Sequence, residues 1–243
     1  MLNKLTLLTI VVFISTAELK SQDKNTGSDL RNYNLLDQGR NGLNVYDMMR
    51  VTPYQTEVNG DAFYEGKDFI KGSITLNANE TFYDNLQIRY NVQLNTLEFL
   101  VDTQIKSLDA KLVKKMILQN TSDLSNQKVF INAKSFLIGN KNEEFLLEVL
   151  YEGKTSLYKR RVASVLKGHY IPQLGAESQN NTIVKKDVIY YKKDNQLIEL
   201  PKKSKEIFKI FGNQQVRVKE YCDKNKLKLP RDIATVVSYF DTL

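Results

Sequence analysis

Tryptophan is absent from this 243-residue chain, which carries one cysteine, one histidine and four prolines. Each shortage removes chemistry. A lone thiol, Cys222, can build neither an intramolecular disulfide nor a Cys-based zinc cage. His169 is the lone imidazole, so no second histidine supports a metal site. A Ser-His-Asp triad on His169 would also lack the Gly-x-Ser-x-Gly elbow that presents such a serine. No glycine-rich phosphate loop follows a strand pattern. We therefore expect no cofactor, no metal and no enzyme.

The nearest enzymatic alternative is a hydrolase using Glu143, Glu144 and Glu148. A glycosidase pair needs carboxylates about 5–10 Å apart across a cleft. Glu144 and Glu148 do share a strand face, but charge on a solvated strand face accounts for them. Tyr158-Lys-Arg-Arg161 interleaves an aromatic with basic residues, as nucleic-acid sites do. It reads equally as a strand ending in solvated charge, and no nucleic-acid partner is expected. Cys222 stands on an apolar helical stripe, where it serves as a small buried hydrophobe.

What is present begins with "MLNKLTLLTIVVFISTAELKSQ". Lys4 gives a positive start, Leu5 to Ile14 an apolar run, and Ser15 to Ala17 small residues. That is the layout of a secretory signal peptide, assigned to residues 1–22. The run is too short for the roughly 20 residues of a bilayer-spanning helix. No later stretch suffices either, so no transmembrane helix is expected in the mature chain. The expected location is exported: periplasmic, outer-membrane associated or secreted.

Residues 23–60 are rich in Asn, Asp and Gly and read as a leader with one short helix near Leu43–Met49. From residue 61 to 200 the pattern is β. In "NLQIRYNVQLNTLEFLVD" (85–102) the apolar residues fall on even positions through Leu94, then mostly on odd ones. Period two marks a half-buried strand, and the parity flip marks a hairpin. A two-residue loop at Asn95-Thr96 or a four-residue loop at Gln93–Thr96 both bury Tyr90, Val92 and Phe99 and leave Arg89 and Glu98 exposed.

"FIKGSITL", "KLVKKMIL", "KVFINAKSFLI", "EEFLLEVLYEG", "KTSLYKRRVASVL" and "DVIYYKKDNQLIEL" are further strand patterns, with turns at Tyr151–Lys154 and Lys192–Asn195. Residues 167–186 lack periodicity and read as a long loop. The expected fold is mainly β, an antiparallel meander curled into a sandwich or open barrel. Two or three short helices follow in residues 201–243, packed on the sheet or on one another. Their stripes are Ile207, Phe208, Ile210 and Phe211, ended by Gly212; then Val218, Tyr221 and Cys222; then Ile233, Val236, Val237 and Phe240, with Pro230 in the first turn.

The order of "KGSITL", "LQIRYNVQLNTLEF", "EFLLEVLYEGKTSLYKR" and the tail "LPKKSKEIFKIFG…VKEYCDKNKLKL…DIATVVSYFDTL" resembles a family of uncharacterised secreted proteins of Bacteroidota. The similarity spans roughly residues 58–243; the leader is longer here. The resemblance implies an envelope location and carries no activity.

Charge is the partner signal. The chain holds 35 Lys and Arg against 28 Asp and Glu, a net +7. Residues 185–243 alone hold 14 against 8, whereas residues 23–184 balance at 19 against 19. Lys202, Lys203, Lys205 and Lys209 lie within two turns of one helix, with Lys224, Lys226, Lys228 and Arg231 nearby. These four are the candidate contact for an anionic surface, and the expected function is a non-enzymatic interaction module whose basic tail meets that surface or an envelope protein. A carrier enclosing an apolar ligand in the β core is the alternative.

Overall fold

The computed structural model describes residues 49–51, 60–119, 127–166 and 182–243. The signal segment, nearly all of the leader and His169 lie outside these residues. So does the helix expected near Leu43–Met49, except Met49, which is not helical.

The protein is mainly β with a C-terminal helical segment. Its strands are β1 (Arg50–Val51), β2 (Ile70–Leu76), β3 (Phe82–Asn91), β4 (Thr96–Val101), β5 (Gln104–Asp109), β6 (Val113–Leu118), β7 (Lys128–Asn132), β8 (Leu137–Ile138), β9 (Lys141–Asn142), β10 (Leu146–Tyr151), β11 (Leu157–Leu166), β12 (Thr182–Lys193) and β13 (Gln196–Glu199). They form one sheet in the order β1-β5-β4-β3-β2-β6-β7-β10-β11-β12-β13-β8-β9.

This is not a pure meander. Strands β2 to β5 run outward in sequence order, and the chain then crosses back so that β6 pairs with the free side of β2. The short β8 leaves β7 and joins β13 as the one parallel pair among the described strands. Thr182 to Lys186, expected in a loop, belong to β12, where they pair with Val162 to Leu166. They show little apolar alternation because this end of the hairpin is exposed, so no buried face constrains it.

The β3–β4 hairpin keeps the expected parity but shifts the register. Asn91 pairs with Thr96, Tyr90 with Leu97 and Ile88 with Phe99, leaving Val92 to Asn95 as the loop. Asparagine chemistry decides this: the Asn91 side chain accepts from the backbone N–H of Gln93 and Leu94, both at 3.1 Å. Asn95 then takes φ 54°, a conformation its short polar side chain tolerates. Val92 is consequently half-buried and Leu94 exposed.

Glu98 is a second correction: it is buried, and Arg89 is half-buried. The Arg89 guanidinium reaches Glu98 at 2.9 and 2.6 Å. It also lies 4.1 Å from the ring centroid of Phe63 and 4.4 Å from that of Phe69. The polar side of the hairpin is thus covered by the residues preceding β2.

The largest core cluster joins Ile74, Leu76, Ile88, Leu97, Phe99, Met116, Phe130 and Leu146. Gly72 permits its tight strand packing, because a Cβ there would run into the Ile117 carbonyl oxygen of β6. Tyr64 inserts into this cluster from the segment before β2. Its ring meets Phe130 edge-on at 4.9 Å, and its backbone N–H donates to the Tyr90 carbonyl at 2.8 Å. Asp61 and Phe63 on the same segment accept from Lys185 of β12 at 2.9 and 2.8 Å. The segment therefore bridges β3 and β12, which are far apart in strand order.

After β13 come α1 (Ser204–Phe208), a 3-10 turn (Lys209–Gln214), α2 (Gln215–Asn225) and α3 (Ile233–Phe240). Gly212 breaks the helical path with φ 55° and ψ −126°, a conformation glycine adopts without a Cβ penalty. Helix α3 starts at Ile233 rather than at Pro230, which precedes it in a turn. Ile207, Phe211, Val218, Cys222, Ile233, Val236 and Val237 form a second cluster that packs on Leu150, Tyr151, Leu157, Ile189 and Tyr191 of the sheet. Tyr221 of α2 stacks on Tyr239 of α3 at 3.8 Å. The Asp241 carboxylate closes the assembly by accepting from Thr155 N–H at 3.2 Å.

Candidate functional site

A groove opens where the helices leave the sheet. It is lined by Thr155 from the β10–β11 turn, Tyr191, Lys192 and Lys193 from the end of β12, and Pro201, Glu206, Lys209 and Ile210 from the start of the helical segment. Its volume is about 490 Å³, within the roughly 300–1,000 Å³ typical of small-molecule sites.

Each wall has a local cause. β12 alternates, so Tyr191 turns its ring toward the helical cluster. Lys192 points to the opposite face, where its Nζ lies 5.7 Å from the Phe136 ring. Lys193 ends the strand just before Asp194, whose φ of 55° makes the turn into β13. Ile207 of α1 and Phe211 are buried; Glu206 and Lys209, on other sides of this segment, are left exposed. The result is two cationic side chains and one carboxylate around a partly apolar floor of Tyr191, Pro201 and Ile210.

Of the four lysines singled out from the sequence, only Lys209 lines the groove. Lys202, Lys203 and Lys205 are exposed on the approach to and first turn of α1. Thr155, Tyr191, Lys193 and Glu206 were not legible as site residues. The one available hint was the three-residue spacing of Glu206 and Lys209, which brings helical neighbours together.

Most ion pairs among the described residues lie in the sheet and the segment before β2, although exposed strand lysines such as Lys71, Lys115, Lys141 and Lys186 enter none. In the sheet and the segment before β2, Arg89 pairs with Glu98, Lys114 with Glu80, Lys128 with Glu65, Lys134 with Glu144, Lys159 with Glu148, Arg161 with Asp187 and Lys185 with Asp61. Within residues 201–243 the described ion pair is that between the neighbours Arg231 and Asp232. Among the described residues, Lys193, Lys202, Lys203, Lys205, Glu206 and Lys209 enter no ion pair.

The other candidates resolve into structure. Glu148 is buried rather than solvated: it accepts from the Tyr64 hydroxyl and from Lys159 Nζ at 2.6 Å. Glu144 precedes β10 and pairs with Lys134 at 3.0 Å. The basic run after Tyr158 is partnered as well. Arg160 lies 3.6 Å from the Phe145 ring centroid. Arg161 grips Asp187 through two nitrogens at 2.7 and 2.8 Å, and that hydrogen bonding holds the Asp187 carboxyl below its usual range. Cys222 is 3% exposed, and burial pushes its thiol up, away from the reactive thiolate. Groups of three or more His, Cys, Asp or Glu able to hold a metal do not occur among the described residues. Nor does a helix long and apolar enough to cross a membrane.

Comparison with known protein families, curated proteins and solved structures finds no match to this chain.

Proposed function

We propose that this is an exported, non-enzymatic envelope protein that uses its C-terminal helices to dock on an anionic membrane surface. The observation that carries this reading is a cluster of cations: Lys202, Lys203, Lys205 and Lys209 lie close together in sequence, are exposed, and enter no ion pair among the described residues. Export rests on the signal-peptide layout of residues 1–22, and the envelope location on the family resemblance. A carrier role is less well supported, because Tyr64, Met116 and Phe130 fill the space on the core face of the sheet. The bridge from β3 to β12 favours an open barrel over a sandwich as the description of the curled sheet.

Each lysine near an anionic bilayer contributes about 1 kcal/mol, so four give at most about 4 kcal/mol, or roughly millimolar affinity. Screening over about 8 Å makes such binding sensitive to salt. Reversing Lys202, Lys203, Lys205 and Lys209 to Glu should release the mature protein from vesicles containing anionic lipid, as high salt should, with thermal unfolding nearly unchanged. Vesicle binding that ignores both treatments defeats the docking reading. Amino-terminal sequencing of the native protein tests export separately: a cytosolic species that retains Met1 defeats it.

A further inference from the structure

We propose that the groove between β12 and α1 binds the phosphoethanolamine headgroup of a zwitterionic phospholipid; this rests on the membrane-docking reading. The argument starts from the signs of charge in one concave site. Lys193 and Lys209 come from different elements, both line the groove, and neither enters an ion pair among the described residues. Glu206 lines the same groove and likewise enters no ion pair among the described residues. A bare phosphate would gain the two ammonium groups but meet the carboxylate, at a cost in like-charge repulsion. A simple cation would meet the reverse.

A ligand carrying both signs on a short linker satisfies all three side chains. In phosphoethanolamine the phosphodiester takes the two lysines, and the primary ammonium donates to Glu206 as a charge-assisted hydrogen bond. Tyr191, Pro201 and Ile210 offer apolar contact to the ethylene and glycerol carbons. The surroundings favour a lipid over a free zwitterion. Lys202, Lys203 and Lys205 flank the same wall, so a bilayer that meets them brings its headgroups to the groove mouth. Phosphocholine is the discriminating relative, since its quaternary ammonium has no N–H to give to Glu206.

The test uses the mature protein and two sets of vesicles with the same fraction of anionic lipid, the remainder being phosphatidylethanolamine or phosphatidylcholine. The wild type should bind the phosphatidylethanolamine set about tenfold more tightly, the low end of the range for a hydrogen bond to a charged group, as suits an exposed site. Glu206→Gln should erase that preference while keeping binding to both sets, and its unfolding midpoint should stay at the wild-type value because Glu206 is exposed. Lys202→Gln with Lys203→Gln and Lys205→Gln should weaken both sets and keep the ratio. Binding to both sets with equal affinity overturns the headgroup site and leaves the docking reading intact, whereas binding to neither set overturns both. A wild-type preference that survives Glu206→Gln also overturns the assignment, since the ammonium would then be read elsewhere.

Discussion

The Tyr64 hydroxyl donates to the Glu148 carboxylate across 84 residues of sequence. Tyr64 is 1% exposed and Glu148 7%, and Lys159 completes the site as counter-ion at 2.6 Å. Arg161 adds its guanidinium 4.6 Å from the Tyr64 ring centroid and donates to the Tyr64 carbonyl. These contacts tie the segment before β2 into the core.

Tyr64→Phe removes the donor but keeps the ring, and should cost about 1.5–3 kcal/mol, the range for a hydrogen bond to a charged group. Glu148→Ala strips a largely buried Lys159 of its partner and should cost about 3–5 kcal/mol. Chemical denaturation measures both. The two changes share a site, so the double variant should depart from additivity by at least about 0.5 kcal/mol. Additive losses would show that the two residues act independently.

Arg89→Ala should be as harmful as a core truncation, at about 3–5 kcal/mol, because it leaves Glu98 buried without a cation. Phe99→Ala on the opposite face of the hairpin should cost a similar amount. Phe82, 58% exposed at the start of β3, supplies the control: its replacement by Ala should fall within about 0.5 kcal/mol. A surface-like value for Arg89→Ala would mean that Phe63 and Phe69 do not cover the pair.

Alkaline pH should unfold the protein, and the sign follows from its tyrosines. Burial pushes Tyr90 up to about 12. Burial first and the neighbouring Glu148 second push Tyr64 up as well. In the unfolded chain both phenols ionise at about pH 10. Their neutral forms therefore stabilise the fold fully below about pH 10, and that contribution is lost as pH rises through about 10 toward the folded values. Phenolate absorbance followed beside near-ultraviolet circular dichroism checks this. A subset of the 13 tyrosines should ionise only as the tertiary signal disappears; complete ionisation of all of them within an intact fold would contradict their burial.

These residues also show how far the sequence could be read. Period-two alternation through Ile88, Tyr90, Leu97 and Phe99 reports burial on one face, and the structure has that face inside. The same alternation treats Arg89 and Glu98 as solvated, because it carries no information about a distant segment laid over the second face. Tyr64 sits in a stretch without periodicity, and its burial comes from partners 84 and 97 residues away. The groove was hidden for the same reason. Lys193 and Glu206 belong to two elements whose junction depends on how α1 packs on Tyr191.

The bridging segment also constrains the order in which the chain can fold. Asp61 meets Lys185 at a separation of 124 residues, and Tyr64 meets Arg161 at 97. Contacts this remote in sequence carry a loop-closure cost before they return any stability, and topologies rich in them fold in about milliseconds to seconds. The contacts of Asp61 and Tyr64 with Lys185 and Arg161 must therefore wait for β11 and β12. Until those strands are made, the segment before β2 lacks half of its bridge, and the Tyr64 locking step comes late in the assembly of the sheet.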